Sequence, residues 1–188
     1  MAYLLEILST LLVIAVLIGI MLLISKRLLN KLSKKQYQGW LIAHIIFVIL
    51  AMAGVLGILL LTLVSATLVT EPGNMQAAHF LTRYFSWFLI IPGILGSFIS
   101  GMWLALRTKW GLTNYYWIIA KVLGTITAIL FGSTWMPVWM ERTLSSLQNP
   151  SYYHSRQMLL TGVFIALIIM LSLVVISYLK PGGKRRKV

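Results

Sequence analysis

Apolar side chains dominate the composition of this 188-residue chain. They make up 60% of its residues, charged residues make up only 10%, and the mean hydropathy is +0.92. Water-soluble domains are closer to about half apolar and about a quarter charged, so this chain lacks the polar surface of a soluble particle and is expected to be a membrane protein. The absence of cysteine excludes disulfides, thiolate nucleophiles, thiolate-bound zinc or iron–sulfur clusters, and covalent haem attachment.

Five apolar stretches are each long enough to cross a bilayer, whose hydrocarbon core of about 30 Å requires about 20 residues of helix. In chain order they cover residues 3–25, 40–66, 84–106, 114–140 and 157–179. The first is not typical of a cleavable signal peptide, because Glu6 stands where a basic segment is usual and no small-residue cleavage site follows. The sequence therefore predicts an all-α integral membrane bundle of five transmembrane helices, forming a single transmembrane domain over residues 1–188.

Basic residues are concentrated on one side of the predicted bundle. Twelve of the 16 Lys and Arg residues lie on the side of the C-terminus, and they are Lys26, Arg27, Lys31, Lys34, Lys35, Arg107, Lys109, Lys180, Lys184, Arg185, Arg186 and Lys187. Arg83, Arg142 and Arg156 lie on the other side. Because short cytoplasmic loops are rich in Lys and Arg, the N-terminus is predicted outside and the C-terminus in the cytoplasm. The basic clusters indicate contact with anionic lipid at the cytoplasmic face, and no nucleic-acid partner is expected.

Small residues recur at four-residue spacing in two neighbouring stretches, and these are Gly93, Ser97 and Gly101 in the third and Gly124, Ala128 and Gly132 in the fourth. In lipid, helices associate through close packing of small residues and through interhelical hydrogen bonds. Because the connection between the two stretches is short, the two stripes are expected to face each other. Pro92 removes a backbone donor within the third stretch and is expected to bend that helix.

Lys121 lies deeper in a predicted span than any other charged residue. Helical spacing places it on the same face as Gly124 and Ala128, at the depth of Ser97 and Ser100 on the preceding span. An ionisable residue at the centre of a span costs about 2.5–3.5 kcal/mol on insertion scales. Lys121 is therefore a candidate functional residue with Ser97 and Ser100 as polar neighbours, and the alternative is a side chain that snorkels to the cytoplasmic interface.

Three histidines are candidate ligands. His79 and His154 are predicted at the outer side, before the third span and at the start of the fifth, and His44 lies near the cytoplasmic end of the second. Paired imidazoles in a bundle can bind b-type haem, and Arg83 and Arg156 suit its propionates. Histidine with some of the nine methionines can instead bind copper. His79 and His154 are thus candidate haem or metal ligands with His44 as a further candidate, against an interfacial hydrogen-bonding role.

Several catalytic motifs are absent from the sequence. It contains no phosphate-binding glycine loop, no His-Glu-x-x-His motif and no serine elbow. The three acidic residues, Glu6, Glu71 and Glu141, all lie near the outer face, so the carboxylate of a usual proton relay is missing. Glu141 beside Arg142 is expected to form at most a surface pair of little stability. Whether the chain is an enzyme stays open at this point.

Four segments are similar to segments of known proteins. The first is Trp110-Gly111-Leu112 followed by Tyr116-Trp117 and Lys121, and the second is His44 followed by Gly54 and Gly57. The third is residues 87–101, and the fourth runs from His154 to the ending Tyr178-Leu179-Lys180-Pro181-Gly182. Over residues 40–183 the chain resembles uncharacterised bacterial polytopic membrane proteins that are distantly similar to copper-resistance D-like membrane proteins. The resemblance implies a four-helix core with an added first span, a bacterial inner-membrane location, and haem or copper bound by histidine. It carries forward Trp110, Lys121, His44 and His154 and gives no support to His79.

Three functional hypotheses follow from the sequence. The first is a haem b- or copper-handling, redox-associated membrane protein. The second is a non-catalytic accessory subunit that assembles with a partner membrane subunit or with further copies of itself. The third is a small transporter whose pathway passes Lys121 and Pro92. The sequence favours the first two over the third.

Overall fold

The structure is a computed structural model that describes residues 2–27, 31–67, 71–147, 149 and 151–185; Arg186 and Lys187 of the predicted basic tail lie outside them. The elements are α1 (Ala2–Arg27), α2 (Lys34–Thr67), α3 (Pro72–Phe85), a π-helical turn (Ser86–Ile90), α4 (Ile91–Arg107), α5 (Tyr116–Ser145) and α6 (Tyr152–Leu179). Since α3, the π-helical turn and α4 are continuous, five helices are long and apolar enough to cross a membrane. The predicted all-α five-helix architecture is confirmed, and it is that of a multi-pass membrane protein.

Several helices extend beyond the apolar stretches that predicted them. Helix α2 begins at Lys34 instead of residue 40, and the third spanning helix begins at Pro72 instead of residue 84. Hydropathy detects apolar side chains, whereas a helix continues for as long as its backbone hydrogen bonds are made. His79 consequently lies inside α3, in the part of the helix that precedes the predicted apolar stretch.

Backbone hydrogen bonds join the α1–α2 connection, the α4–α5 connection and the C-terminal tail at one end of the bundle. Leu32 N–H donates to the carbonyl of Arg107 (3.2 Å), and Arg185 N–H donates to the carbonyl of Asn114 (2.8 Å). We call this the C-terminal end, because α6 ends there at Leu179, and we call the opposite one the N-terminal end. The described basic residues of these two connections and of the tail therefore lie at the same end of the bundle.

The small residues of α4 pack against α2. A Cβ atom added at Gly93 would lie 2.5 Å from the backbone nitrogen of Ala51. On α5, a Cβ at Gly124 would lie 2.7 Å from Leu173 of α6, and one at Gly132 would meet no atom within 4 Å. The expectation that the α4 and α5 stripes face each other was wrong, because α1 packs against both of these helices and a cavity lies between them.

Pro92 is accommodated by the π-helical turn that precedes it. Ile91 N–H donates to the carbonyl of Ser86, five residues back. Proline supplies no N–H, and its ring displaces the carbonyl four residues earlier, at Phe88. The wider π turn provides room for the ring. Where the sequence predicted a bend at Pro92, the structure shows a local change from α-helix to π-helix.

Helix α1 lies at the side of the bundle. Among its described residues Ile14 and Met21 are buried, and they pack with Phe98 and Met102 of α4. Within the described part of the chain α1 packs against α4 and α5 and against no other helix. A hydrogen bond of 3.3 Å joins the hydroxyl oxygens of Thr10 and Ser133 on α5. Helix α1 is therefore the least embedded of the five spanning helices.

Candidate functional site

The described residues line a cavity towards each end of the bundle. The C-end cavity has a volume of about 310 Å³ and the N-end cavity about 610 Å³. Both volumes fall within the range of about 300–1,000 Å³ that is usual for ligand pockets. The buried side chain of Phe98 lines both cavities and forms part of the wall between them.

Lys121 lies in the wall of the C-end cavity. Its Nζ atom donates a hydrogen bond of 2.8 Å to Oγ of Ser177 on α6. Ser97 of α4 and Thr125, one turn further along α5, line the same cavity. The half-buried ammonium group is thus held within the bundle by a neutral hydroxyl near the end of α6, at a depth where Ser97 faces it across the cavity.

The C-end cavity carries positive charge without a matching carboxylate. Lys180, exposed at the end of α6, lines the cavity with Lys121, and its ammonium group lies 5.9 Å from the ring centroid of Trp110. None of the chain's three acidic residues is part of the lining. Trp110 and Trp117 pack edge to face beside it, with 5.6 Å between ring centroids. A pair of lysines without a carboxylate suits an anionic ligand.

His44 lines the same cavity from α2. Its Nδ1 atom lies 3.0 Å from the carbonyl oxygen of Ser97 and 3.1 Å from Oγ of Ser100. A carbonyl only accepts hydrogen bonds, so Nδ1 carries the proton and Nε2 is the acceptor of the neutral imidazole. The structure therefore brings together four residues that the sequence placed on three separate spans: His44, Ser97, Ser100 and Lys121.

His79 occupies the interface of three helices at the N-terminal end. Only 4% of its surface is exposed, and Nε2 lies 3.0 Å from Oη of Tyr152 and 3.1 Å from Oγ of Ser65. It also lines the N-end cavity. Because these contacts link α3 to α6 and α2, the imidazole acts as a polar connection between helices.

The two arginines proposed for haem propionates have other contacts. Arg83 forms a salt bridge with Glu141 across α3 and α5. The guanidinium group of Arg156 lies 5.4 Å from the ring centroids of both Tyr152 and Tyr153. Among the described residues Glu141 pairs with Arg83 and not with its neighbour Arg142, because consecutive helical residues point in different directions.

His154 is exposed, and within the described part of the chain no hydrogen bond or ring contact joins it to His79. The described residues also include no group of three His, Asp or Glu side chains placed to hold a metal ion. The structure thus leaves His79, His154 and His44 in three different settings. Haem and copper binding stay predictions from the sequence.

Several residues of these sites were missed by reasoning from the sequence. Ser177 and Lys180 belong to the C-end cavity, and Tyr152 and Ser65 are the partners of His79. Ser177 gave a usable signal, since it is a polar residue near the end of an apolar span at the depth of Lys121. The partners of His79 gave none, because their selection depends on how the helices rotate against one another.

Comparison with family models, curated proteins and solved structures found no match. The resemblance to copper-resistance D-like membrane proteins therefore stays a prediction, and a functional proposal has to rest on the geometry of the cavities.

Proposed function

We propose that this chain is a small multi-pass transporter of the bacterial cytoplasmic membrane, and that it takes an anionic solute into the C-end cavity. The observation that carries the proposal is that two lysines, Lys121 and Lys180, line a cavity that none of the chain's three acidic residues lines. The concentration of basic residues at the C-terminal end supports a cytoplasmic location of that end, with the N-terminus outside.

The environment of Lys121 favours an anion on electrostatic grounds. A buried ammonium group loses hydration, and a single neutral hydroxyl from Ser177 restores only part of it. An anion in the cavity supplies the missing opposite charge and forms charge-assisted hydrogen bonds, which are worth about 1.5–3 kcal/mol each. Trp110 and Trp117 shield the site from water on one side, which strengthens the attraction.

The N-end cavity extends the proposed path of the anion from the C-end cavity through the bundle. Phe98 lines both the C-end and the N-end cavities, so in this proposal its ring moves to join them. Thr125 lines one cavity and Ala128, one turn away on α5, lines the other. The pathway in this proposal passes Lys121, then Phe98, and then the apolar walls of the N-end cavity.

Uptake into proteoliposomes tests the proposal, with radiolabelled inorganic phosphate and acetate as the simplest phosphate and carboxylate probes. We expect Lys121→Met to lower uptake about tenfold or more, since one charge-assisted contact corresponds to at least that factor. Lys121→Arg is expected to retain part of the activity. Lys109→Met is the matched control, because Lys109 is exposed and outside the cavity lining. Equal uptake by wild type and Lys121→Met would contradict the role of Lys121.

An anion at this site can also come from a lipid headgroup. Repeating the uptake assay in vesicles with and without phosphatidylglycerol distinguishes the two sources, because a bound anionic lipid competes with the free anion. Uptake that phosphatidylglycerol inhibits both in wild type and in Lys121→Arg, which keeps the positive charge, would indicate that the headgroup occupies the cavity.

The haem or copper hypothesis is tested on the same preparation. A reduced-minus-oxidised visible spectrum and a metal analysis of the purified protein decide whether a cofactor is bound. A b-type band that disappears in His154→Ala would replace the transport proposal with an electron-transfer role. Copurification of a second membrane protein in stoichiometric amount would instead favour the accessory-subunit hypothesis.

A further inference from the structure

Polar and apolar residues are segregated along the N-end cavity. The polar lining residues lie towards the N-terminal end, and they are Ser9 and Thr10 on α1, His79, Thr82, Arg83 and Ser86 on the third spanning helix, and Ser133 and Glu141 on α5. Towards the middle of the bundle the lining is apolar and ends at Phe98. The cavity of about 610 Å³ therefore has a polar end, at the N-terminal end of the bundle, and an apolar interior. This matches the shape of an amphiphile with a headgroup and a hydrocarbon chain.

Helix α1 separates this cavity from the surrounding lipid. Val13, Ile14 and Leu17 of α1 line the cavity, while α1 packs against α4 and α5 and no other helix of the described chain. Ile14 is buried, but Val16 and Leu12 on the same helix are 52% and 66% exposed. Because α1 packs against only two helices of the described chain, it is the element that would move aside for a lipid to enter the cavity from the bilayer.

The charges at the polar end determine the class of headgroup. Arg83 and Glu141 form a salt bridge across the cavity, and their side chains remain 50% and 61% exposed. A purely anionic headgroup at Arg83 would meet the carboxylate of Glu141. A headgroup with both a phosphate and an ammonium group can pair with both residues, and exposed ion pairs are weak enough to be opened.

We propose that the N-end cavity binds a zwitterionic phospholipid, with one acyl chain in the apolar interior, the phosphate at Arg83 and the ammonium group at Glu141. This site is distinct from the anion site at Lys121 but lies on the proposed anion pathway, so a bound lipid closes that pathway until it leaves. The proposal goes beyond the transport of an anion and does not depend on it. Phosphatidylethanolamine is the probe for this class of lipid. Phosphatidylglycerol and palmitate are the competing probes, because they carry the same kind of chain with an anionic headgroup.

Native mass spectrometry of the delipidated protein with these three probes tests the interior of the cavity. Gly132→Leu places a side chain in the cavity, because Gly132 lines it and an added Cβ meets no atom within 4 Å. We expect binding of phosphatidylethanolamine to fall about tenfold or more in this variant. Gly19→Leu on α1 is the matched control, since Gly19 is also free of contacts within 4 Å but lies outside the cavity lining. Unchanged binding in Gly132→Leu, or an equal loss in Gly19→Leu, would overturn the proposed site.

Two charge-neutralising variants test the headgroup assignment. Glu141→Gln leaves Arg83 without its carboxylate, so we expect the preference to change from phosphatidylethanolamine towards phosphatidylglycerol. Arg83→Gln is expected to weaken binding of both phospholipids. Tighter binding of phosphatidylglycerol or palmitate than of phosphatidylethanolamine by the wild-type protein would overturn the zwitterionic assignment, as would a lipid preference that does not change in Glu141→Gln.

Discussion

The imidazole of His79 and the phenol of Tyr152 connect α3 to α6 at the N-terminal end of the bundle. Nε2 lies 3.0 Å from Oη, and the two rings pack edge to face with 5.8 Å between their centroids. Tyr152 is buried, and a buried phenol hydrogen needs an acceptor. Donation by the phenol to Nε2 satisfies that requirement, so the pair stabilises the packing of two helices that are far apart in sequence.

Removal of the phenol hydroxyl should lower stability by a small, measurable amount. We expect Tyr152→Phe to lower the free energy of unfolding by about 0.6 kcal/mol, and by at most about 1.7 kcal/mol, as is usual for interhelical hydrogen bonds in membranes. Tyr153→Phe is the matched control, because Tyr153 is 66% exposed. Thermal unfolding in detergent measures both variants. Equal unfolding temperatures for the two would show that the His79 contact contributes nothing.

Packing of α4 against α2 should be far less tolerant of substitution. A Cβ at Gly93 would lie 2.5 Å from the backbone nitrogen of Ala51, so any side chain forces the two helices apart. We expect Gly93→Leu to abolish the monodisperse peak in size-exclusion chromatography, since overpacking costs about 1–3 kcal/mol or more. Gly19→Leu controls for the added leucine at a position without contacts. A monodisperse, stable Gly93→Leu variant would contradict the observed α2–α4 packing.

The number of long apolar helices and the level of Lys121 relative to Ser97 could be predicted because both depend on local properties of the sequence. Hydropathy gives the number of spans, and a rise of about 1.5 Å per residue gives the depth of each side chain. Counting in this way placed Lys121 level with Ser97, and the structure has both in the lining of the C-end cavity. Counting residues along α6 in the same way places Ser177, the hydrogen-bond partner of Lys121, at the level of Lys121.

The sequence did not predict which helices pack against each other. Small residues at four-residue spacing permit close approach, but they do not specify the partner, and Gly93 faces Ala51 of α2 where α5 was expected. The apolar character of α1 also gave no sign that it packs against both α4 and α5. The rotation of each helix about its own axis does not follow from the sequence either, so the contact between His79 and Tyr152 was not predicted.

Membrane orientation can be tested directly because the chain contains no cysteine and introduced thiols have no background. Lys109 lies in the α4–α5 connection and Ser151 immediately before α6, and both are exposed. In intact spheroplasts we expect a membrane-impermeant maleimide to label Ser151→Cys and to label Lys109→Cys only after permeabilisation, since the positive-inside rule places Lys109 in the cytoplasm. The reverse pattern would invert the proposed orientation of both cavities.

Stability and function should change in opposite directions at Lys121. Its ammonium group lies in a spanning helix with Ser177 as a neutral partner, and an ionisable group in a span is costly to bury. Methionine has a similar length without the charge, so we expect Lys121→Met to raise the unfolding temperature in an anion-free buffer while uptake of the anion is lost. Gains in stability that accompany a loss of activity are typical of functional residues. Lys109→Met should leave the unfolding temperature unchanged, because Lys109 is exposed. A lower unfolding temperature for Lys121→Met would instead show that the bond to Ser177 stabilises the bundle and that Lys121 is a structural residue.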